Sequence, residues 1–309
     1  MKLVGFRDKW NGISGIGDIE RMCKDMSLIV KFYNVEHGSC THVITPNGKH
    51  LLYDIGSKTD LSICGHLKDT YFRHGGRPDM LVITHPHIDH ISDLCNMYLY
   101  DIKPGCLWRD KRAFPLNILS SDRQAEIDIK NCANRMHNEY ISTIGAGSDP
   151  EDAAVNGGVT IRRYTPNLVD SEYADVNNFS CVNVIEYGGF KVIITGDNPA
   201  AKLLEMLKGS GFKQAVANAT VLLAPHHGRN GEYCADFVSV VNPLLTVFSD
   251  KPIVHDTQAH SAQKYENATR GVTWSGQNRK VFTTRSDGTI TFTFKSDSNW
   301  FIGTSTSEY

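Results

Sequence analysis

The sequence predicts an α/β fold of four layers, helix, sheet, sheet and helix. Three observations predict it: a hairpin unit that occurs twice, a helical stretch after each hairpin, and an apolar strand after each helix that runs into histidines. The first hairpin runs through His42-Val43-Ile44-Thr45-Pro46-Asn47-Gly48 into Lys49-His50-Leu51-Leu52-Tyr53-Asp54. The second runs through Asn183-Val184-Ile185-Glu186-Tyr187-Gly188-Gly189 into Phe190-Lys191-Val192-Ile193-Ile194-Thr195-Gly196-Asp197. Each is an apolar strand, a turn with glycine and a second apolar strand, and each closes on an aspartate. The helical stretches are Leu61 to Tyr71, closed by Gly75-Gly76, and Pro199 to Lys208, with proline near its start and Gly209 past its end. The strands that follow are Met80-Leu81-Val82-Ile83-Thr84, leading to His85, and Thr220-Val221-Leu222-Leu223-Ala224, leading to Pro225-His226-His227. Two such copies packed sheet against sheet, with helices outside, bring their Asp and His loops to one edge.

Composition bounds the function. With 309 residues the chain can bury a large core, roughly 75% of its unfolded surface. Apolar residues make up 40% and charged ones 21%, a globular balance that excludes global disorder. The 32 basic and 34 acidic side chains leave a net charge of −2, so any contact with nucleic acid must be local. No apolar run is long enough to span a bilayer, and Met1-Lys2-Leu3-Val4-Gly5-Phe6-Arg7-Asp8 lacks the apolar stretch of a signal peptide. The eight cysteines form no CxxC pair, which argues against a thiolate zinc cage. Their scatter suits reduced thiols, and a cytoplasmic location is expected.

The run His85-Pro86-His87-Ile88-Asp89-His90 places three imidazoles and a carboxylate within six residues, directly after a buried strand. Imidazole nitrogens and carboxylate oxygens suit Zn, Mn or Fe. On a loop, His85 and His87 can face one metal while Asp89 and His90 face a second. Asp197, in the matching turn of the second copy, is placed to bridge the two. Of His226 and His227, one is expected to complete a metal shell and the other to meet substrate, in either order. Asp54 is expected behind a ligand imidazole, fixing its orientation.

Thr84-His85-Pro86-His87-Ile88-Asp89-His90 resembles the HxHxDH signature of the metallo-β-lactamase superfamily. The likeness is to its ComEC-type branch, which includes the hydrolase domain of DNA-uptake proteins and the phosphorylcholine esterase of cell-wall teichoic acid. It extends to Phe32-Tyr33-Asn34-Val35-Glu36-His37-Gly38-Ser39, Leu52-Tyr53-Asp54-Ile55-Gly56, Phe179-Ser180-Cys181-Val182-Asn183, Thr195-Gly196-Asp197, Ala224-Pro225-His226-His227-Gly228 and the tail Val281 to Ile290. It implies one αββα domain over residues 1–309, with a core of about 28–295 and a mainly helical insertion of about 101–178. It also implies a late histidine, His260 or the nearby His255, against substrate phosphate or leaving group. Two departures stand out. The first motif carries Val35-Glu36-His37-Gly38-Ser39 where the family has a form closer to Val-Gly-Gln-Gly-Asp. Asn177-Asn178-Phe179-Ser180 stands where many members have a further ligand histidine.

Two divalent ions, Zn or Mn, lower the pKa of a bound water toward neutrality and stabilise negative charge on the attacked group. Asp89 is expected to orient the resulting hydroxide. Between Glu266 and Asp287, Arg270, Arg279, Lys280 and Arg285 occur with no acid among them, and arginines can hold phosphate bidentately. The leading expectation is therefore a phosphodiesterase acting on DNA, RNA or a cyclic nucleotide. The alternatives are hydrolysis of a choline phosphoester, carboxylic ester, lactone or lactam, and a non-catalytic metal-binding protein.

Overall fold

In the computed structural model, which describes residues 26–58, 60–145, 147–251 and 257–305 (of 257–260 the backbone only), the duplication is larger than the hairpins suggest. The first half lays down β1 (Ser27–Phe32), β2 (Thr41–Ile44), β3 (His50–Tyr53), β4 (Met80–Val82) and β5 (Cys106–Trp108). The second lays down β6 (Thr160–Tyr164), β7 (Val182–Tyr187), β8 (Phe190–Ile194), β9 (Val221–Leu223) and β10 (Leu245–Phe248). Each set lies in sequence order in its own sheet. The senses also match: the first three strands of each set are antiparallel, and the last two continue parallel. The tail adds β11 (Val272–Trp274), β12 (Gln277–Arg279), β13 (Val281–Thr283), β14 (Thr289–Lys295) and β15 (Trp300–Ser305). Of these, β14 and β15 extend the first sheet beyond β1, β13 extends the second beyond β10, and β11 and β12 pair with each other.

Period-two alternation sorts the side chains into layers. Leu51, Tyr53, Met80 and Val82 of the first sheet meet Val192, Ile194, Val221 and Leu223 of the second in a core between the sheets. Their neighbours Leu52 and Leu81 point outward, into a second core with Ile63, Leu67, Leu94 and Met136. Ile193 and Leu222 point outward on the other side, against Leu203, Phe212, Phe237 and Tyr265. The outer layers are helical. α1 (Ile63–Thr70), α2 (Ile88–Ile91), α3 (Leu94–Leu99) and α4 (Gln124–Glu139) contribute to the first, and α5 (Ala200–Met206), α6 (Ser210–Val216), α7 (Ala235–Val241) and α8 (Thr257–Ala268) to the second. A further short helix, α9 (Thr284–Asp287), joins β13 to β14. Full burial of one such aliphatic or aromatic side chain is worth about 1.5–3 kcal/mol, so these three apolar layers hold the sandwich together. The four-layer α/β architecture is the one the repeat predicts.

The turns follow from local chemistry. β7 and β8 are joined at Tyr187 and Phe190 through Gly188 and Gly189, both at positive φ, the conformation that a two-residue hairpin turn demands. α1 starts at Ser62, whose hydroxyl accepts from the Gly65 amide. The middle segment is helical over α4 and in short 3-10 turns, and it also supplies β5 and β6 as the outer strands of the two sheets.

The cysteines differ from expectation at one place. Cys95 on α3 and Cys132 on α4 form a disulfide, with Cα atoms 5.4 Å apart across 37 residues. Packing of α3 against α4 brings the two together, a long-range contact that cysteine spacing does not reveal. Cys40, Cys64, Cys106, Cys181 and Cys234 are free thiols. Among the described residues no helix is long and apolar enough to cross a membrane.

Candidate metal centre

The loops that carry the predicted ligands all leave the carboxyl ends of parallel-paired strands. β3 runs into Asp54, β4 into His85, β8 into Asp197 and β9 into His226. In α/β sheets this is the edge where side chains converge on a ligand. Backbone bonds lock the loops to one another. Asp54 N donates to Val82 O at 2.8 Å, Ile55 N to His90 O at 2.8 Å, Cys181 N to Thr84 O at 3.1 Å, and His226 N to Gly196 O at 3.2 Å. A Cβ on Gly38 or Gly56 would overlap the Asp89 carbonyl, so both glycines let the Phe32–Ser39 and Leu52–Gly56 segments close on the His run. His226 and His227 sit consecutively in left-handed backbone, at φ 50° and 55°. Side chains rarely adopt that conformation, and a consecutive pair of them at a site marks strain held by the surrounding structure.

The side chains form two groups that share one residue. Ligand atoms of Asp89, His90, Asp197 and His227 lie within 4.8 Å of one another, and so do those of His85, His87 and Asp197. Asp197 Oδ1 is 3.1 Å from His90 Nε2, and its Oδ2 is 3.4 Å from His227 Nε2, 3.6 Å from His226 Nε2 and 3.9 Å from His85 Nε2. Asp89 Oδ2 is 3.3 Å from His227 Nε2. His85 Nε2 and His87 Nδ1 are 3.1 Å apart. Behind the ligand atoms, His90 Nδ1 meets Asp54 at 2.7 Å, and His227 Nδ1 meets the Ser249 carbonyl at 2.8 Å. Each of these contacts places the proton on Nδ1 and turns the Nε2 lone pair toward the two carboxylates.

Electrostatics divide the histidines. Burial, then the neighbouring His90, holds the His85 pKa well below its usual value. Burial likewise lowers those of His87 and His226, so these imidazoles offer free lone pairs. Burial opposes charge on His90 and His227 too. At His90 the Asp197 and Asp54 carboxylates outweigh it and raise the pKa well above normal. At His227 Asp197 and then Asp89 raise it to about 9. Asp197 and Asp89 are buried against their own ionisation, yet the imidazoles around them hold both below the ordinary carboxylate range. The field of the two carboxylates thus calls for positive charge between them. The donor set fits a divalent cation as its source: the Nε2 atoms of His90 and His227 are buried with no hydrogen-bond partner of acceptable geometry. Such orphaned lone pairs are costly unless a ligand takes them up.

The other predicted residues are placed as follows. Arg270 donates to the carbonyls of Asn242 and Ala219, Lys280 to that of Glu266, and Arg279 to the Asp287 carboxylate at 2.6 Å. None of these contacts is with the histidine cluster. Trp274, in the same stretch, packs against Phe282 and under Arg279. Arg285 lies closer in, 3.1 Å from Asp250, which follows Ser249. The side chain of His260 and the whole of His255 lie outside the described residues. In the segment Asn177-Asn178-Phe179-Ser180, Asn177 Oδ1 is buried without a hydrogen-bond partner.

Sequence reasoning missed His37 and Ser249. His37 Nε2 is 3.3 Å from Asp89 Oδ2, and its ring is 4.9 Å from that of His227. The available signal was that Val35-Glu36-His37-Gly38-Ser39 departs from the motif it resembles by carrying a histidine. Ser249 acts through its carbonyl, which no residue type reveals.

No family model matches the chain, and no curated protein matches it. Among solved structures it is similar to Zn(2+)-bound PqqB from Methylobacterium extorquens, at 15% identity and a TM-score of 0.43, over 91% of this chain and 94% of that one. It is similar to a long form of RNase Z from yeast, at 13% identity and a TM-score of 0.41, over 87% of this chain and 42% of that one. It is also similar to a mutant of CmlA beta-hydroxylase, at 12% identity and a TM-score of 0.47, over 85% of this chain and 53% of that one. The chain thus spans about half the length of these last two. At such identities and scores, the reading of this chain rests on its own strand order and side-chain geometry.

Proposed function

We propose that this chain is a metal-dependent hydrolase of the metallo-β-lactamase fold, and that it cleaves phosphodiesters of DNA, RNA or a cyclic nucleotide. One observation carries the reading. Asp197 belongs to two groups of ligand atoms at once, with Oδ1 facing His90 and Oδ2 lying between His227 and His85, so its carboxylate would be within reach of both ions of a pair. His85 and His87 would hold one ion, and Asp89, His90 and His227 the other. Zn or Mn suits this nitrogen and oxygen set. Paired divalent ions supply Lewis acidity and make water nucleophilic at neutral pH.

The chain's own residues do the rest. Asp54 and the Ser249 carbonyl fix the tautomers of His90 and His227, so both Nε2 atoms stay turned into the site. Asp89 is the more open of the two carboxylates, 23% exposed against 4% for Asp197. Its outer oxygen can accept a hydrogen bond from the attacking water and orient it. The buried floor of His85, His90 and Asp197 keeps bulk water from the far side of the cluster. The phosphodiester class is supported by the ComEC-type motifs around these residues.

The test is metal content by elemental analysis, in the preparation assayed on bis-p-nitrophenyl phosphate with and without chelator. About two Zn or Mn per chain and chelator-sensitive cleavage are expected. His87→Ala should lose cleavage with its circular dichroism unchanged. Full cleavage by His87→Ala, or no activity after Zn or Mn is added back to wild type, would sink the proposal.

A further inference from the structure

We propose that Arg229, seated beside His37, is the anion-binding rim of the cluster. It would make the site select a substrate that is negatively charged at the attacked group, a phosphodiester, over neutral esters and lactones. This inference rests on the metal-dependent hydrolase reading above and names the group that sets its substrate class.

The rim is the open side of the site. Asp197 and His85 form its buried floor, whereas Asp89 and His37 are 23% and 34% exposed and Arg229 is exposed. Arg229 follows His226, His227 and Gly228, three consecutive residues at positive φ. Its amide donates to the His226 carbonyl at 3.0 Å. A Cβ on Gly228 would overlap the Phe248 ring, so the loop is pinned from below. The strained turn that aims His226 and His227 into the cluster therefore also fixes where Arg229 leaves the chain.

The guanidinium has one side-chain contact among the described residues. Arg229 Nη2 lies 3.4 Å from His37 Nε2, and the same nitrogen lies 3.3 Å from Asp89 Oδ2. One imidazole nitrogen cannot donate to Asp89 and accept from Arg229 at once, so at most one of the two contacts is satisfied. Among the described residues Arg229 has no carboxylate at ion-pair distance. Arg112, Arg163, Arg279 and Arg285 pair instead with Asp110, Glu151, Asp287 and Asp250. A second cation, Lys251, is near enough for its charge to act on His37. Arginine's planar fork matches two oxygens of a phosphate, and an anion that bridges Arg229 and His37 would satisfy both side chains. A neutral ester carbonyl gains little from the same fork.

The experiment compares metal-loaded wild type with Arg229→Gln and Arg229→Lys. Affinity for inorganic phosphate is measured by calorimetry. KM is measured for bis-p-nitrophenyl phosphate and for the neutral ester p-nitrophenyl acetate, and metal per chain is checked in each protein. Loss of a charge-assisted contact predicts phosphate binding weakened about tenfold or more in Arg229→Gln and a matching rise in KM for the diester. Metal content should not change, KM for the neutral ester should rise far less than KM for the diester, and Arg229→Lys should recover part of the loss. Equal phosphate affinity in wild type and Arg229→Gln, or no phosphate binding by wild type, overturns the rim. A wild type that binds phosphate but cleaves no diester overturns the phosphodiesterase reading instead, and the phosphate comparison still decides the role of Arg229.

Discussion

His90 Nδ1 lies 2.7 Å from Asp54 Oδ2, and both side chains are fully buried. Asp54 also accepts from the Thr84 amide at 2.7 Å and the Thr84 hydroxyl at 2.8 Å, so three donors converge on its two oxygens. Burial raises the Asp54 pKa, while His90 and Thr84 pull it back toward the charged form. A neutral amide there keeps one acceptor oxygen and turns a donor on the remaining neighbour. His90 would then lose the contact that fixes its tautomer. Asp54→Asn is expected to weaken metal affinity about 10- to 100-fold, as loss of such outer partners does elsewhere. Competition with a chromophoric chelator measures this directly. An unchanged affinity would remove His90 from the ligand set.

The Cys95–Cys132 bond ties the long helix of the middle segment to the helix that follows the metal-binding run. Cross-linking residues that far apart in sequence restricts the unfolded chain and is worth about 2–4 kcal/mol. Cys132→Ser should therefore lower unfolding free energy by about that amount in denaturant without reductant. Dithiothreitol should bring wild type down to the variant. Coincident unfolding curves in the absence of reductant would mean that the two thiols do not pair in solution.

What was legible in the sequence was what sits in one continuous pattern. The two hairpins show as apolar strands around glycine turns, and the His run shows because its ligands are neighbours in the chain. Asp197, His226 and His227 became legible only through the repeat, since a lone Gly-Asp or His-His carries little. The repeat itself was read short: β5 has three residues, and β6, Thr160-Ile161-Arg162-Arg163-Tyr164, is partly exposed, so neither shows an apolar strand pattern. The basic stretch misled for a different reason. Arg279 finds Asp287 eight residues on and lies over the Phe282 ring at 4.5 Å. Lys280 finds a carbonyl of α8. A count of charges along the chain cannot see such partners. His37 and Ser249 join the site only because β1 and β10 end beside it, a consequence of strand order across two sheets.

A second histidine cluster, on the outer face of the first sheet, sets a pH dependence separate from the metal centre. His42 Nε2 meets His50 Nδ1 at 2.9 Å, the Tyr33 ring lies edge-on to His66 at 5.5 Å, and Lys31 donates to the Tyr71 hydroxyl at 2.6 Å. Burial, then His50, holds the His42 pKa well below normal, and burial lowers that of His50. Burial, then the Lys31 charge, lowers that of His66 to about 4, against a small opposing pull from Asp69. An unfolded histidine titrates near ~6.5, so the unfolded chain binds the proton more tightly. The stability tied to neutral His66 is then fully present above that pH and is lost as pH falls from there toward 4. His66→Gln cannot titrate, so its thermal midpoint should fall less than that of wild type between pH 7 and 4.5. The metal-centre histidines titrate alike in both proteins and cancel in the difference. A midpoint difference that stays constant across this range would show that His66 keeps its unfolded pKa in the folded chain.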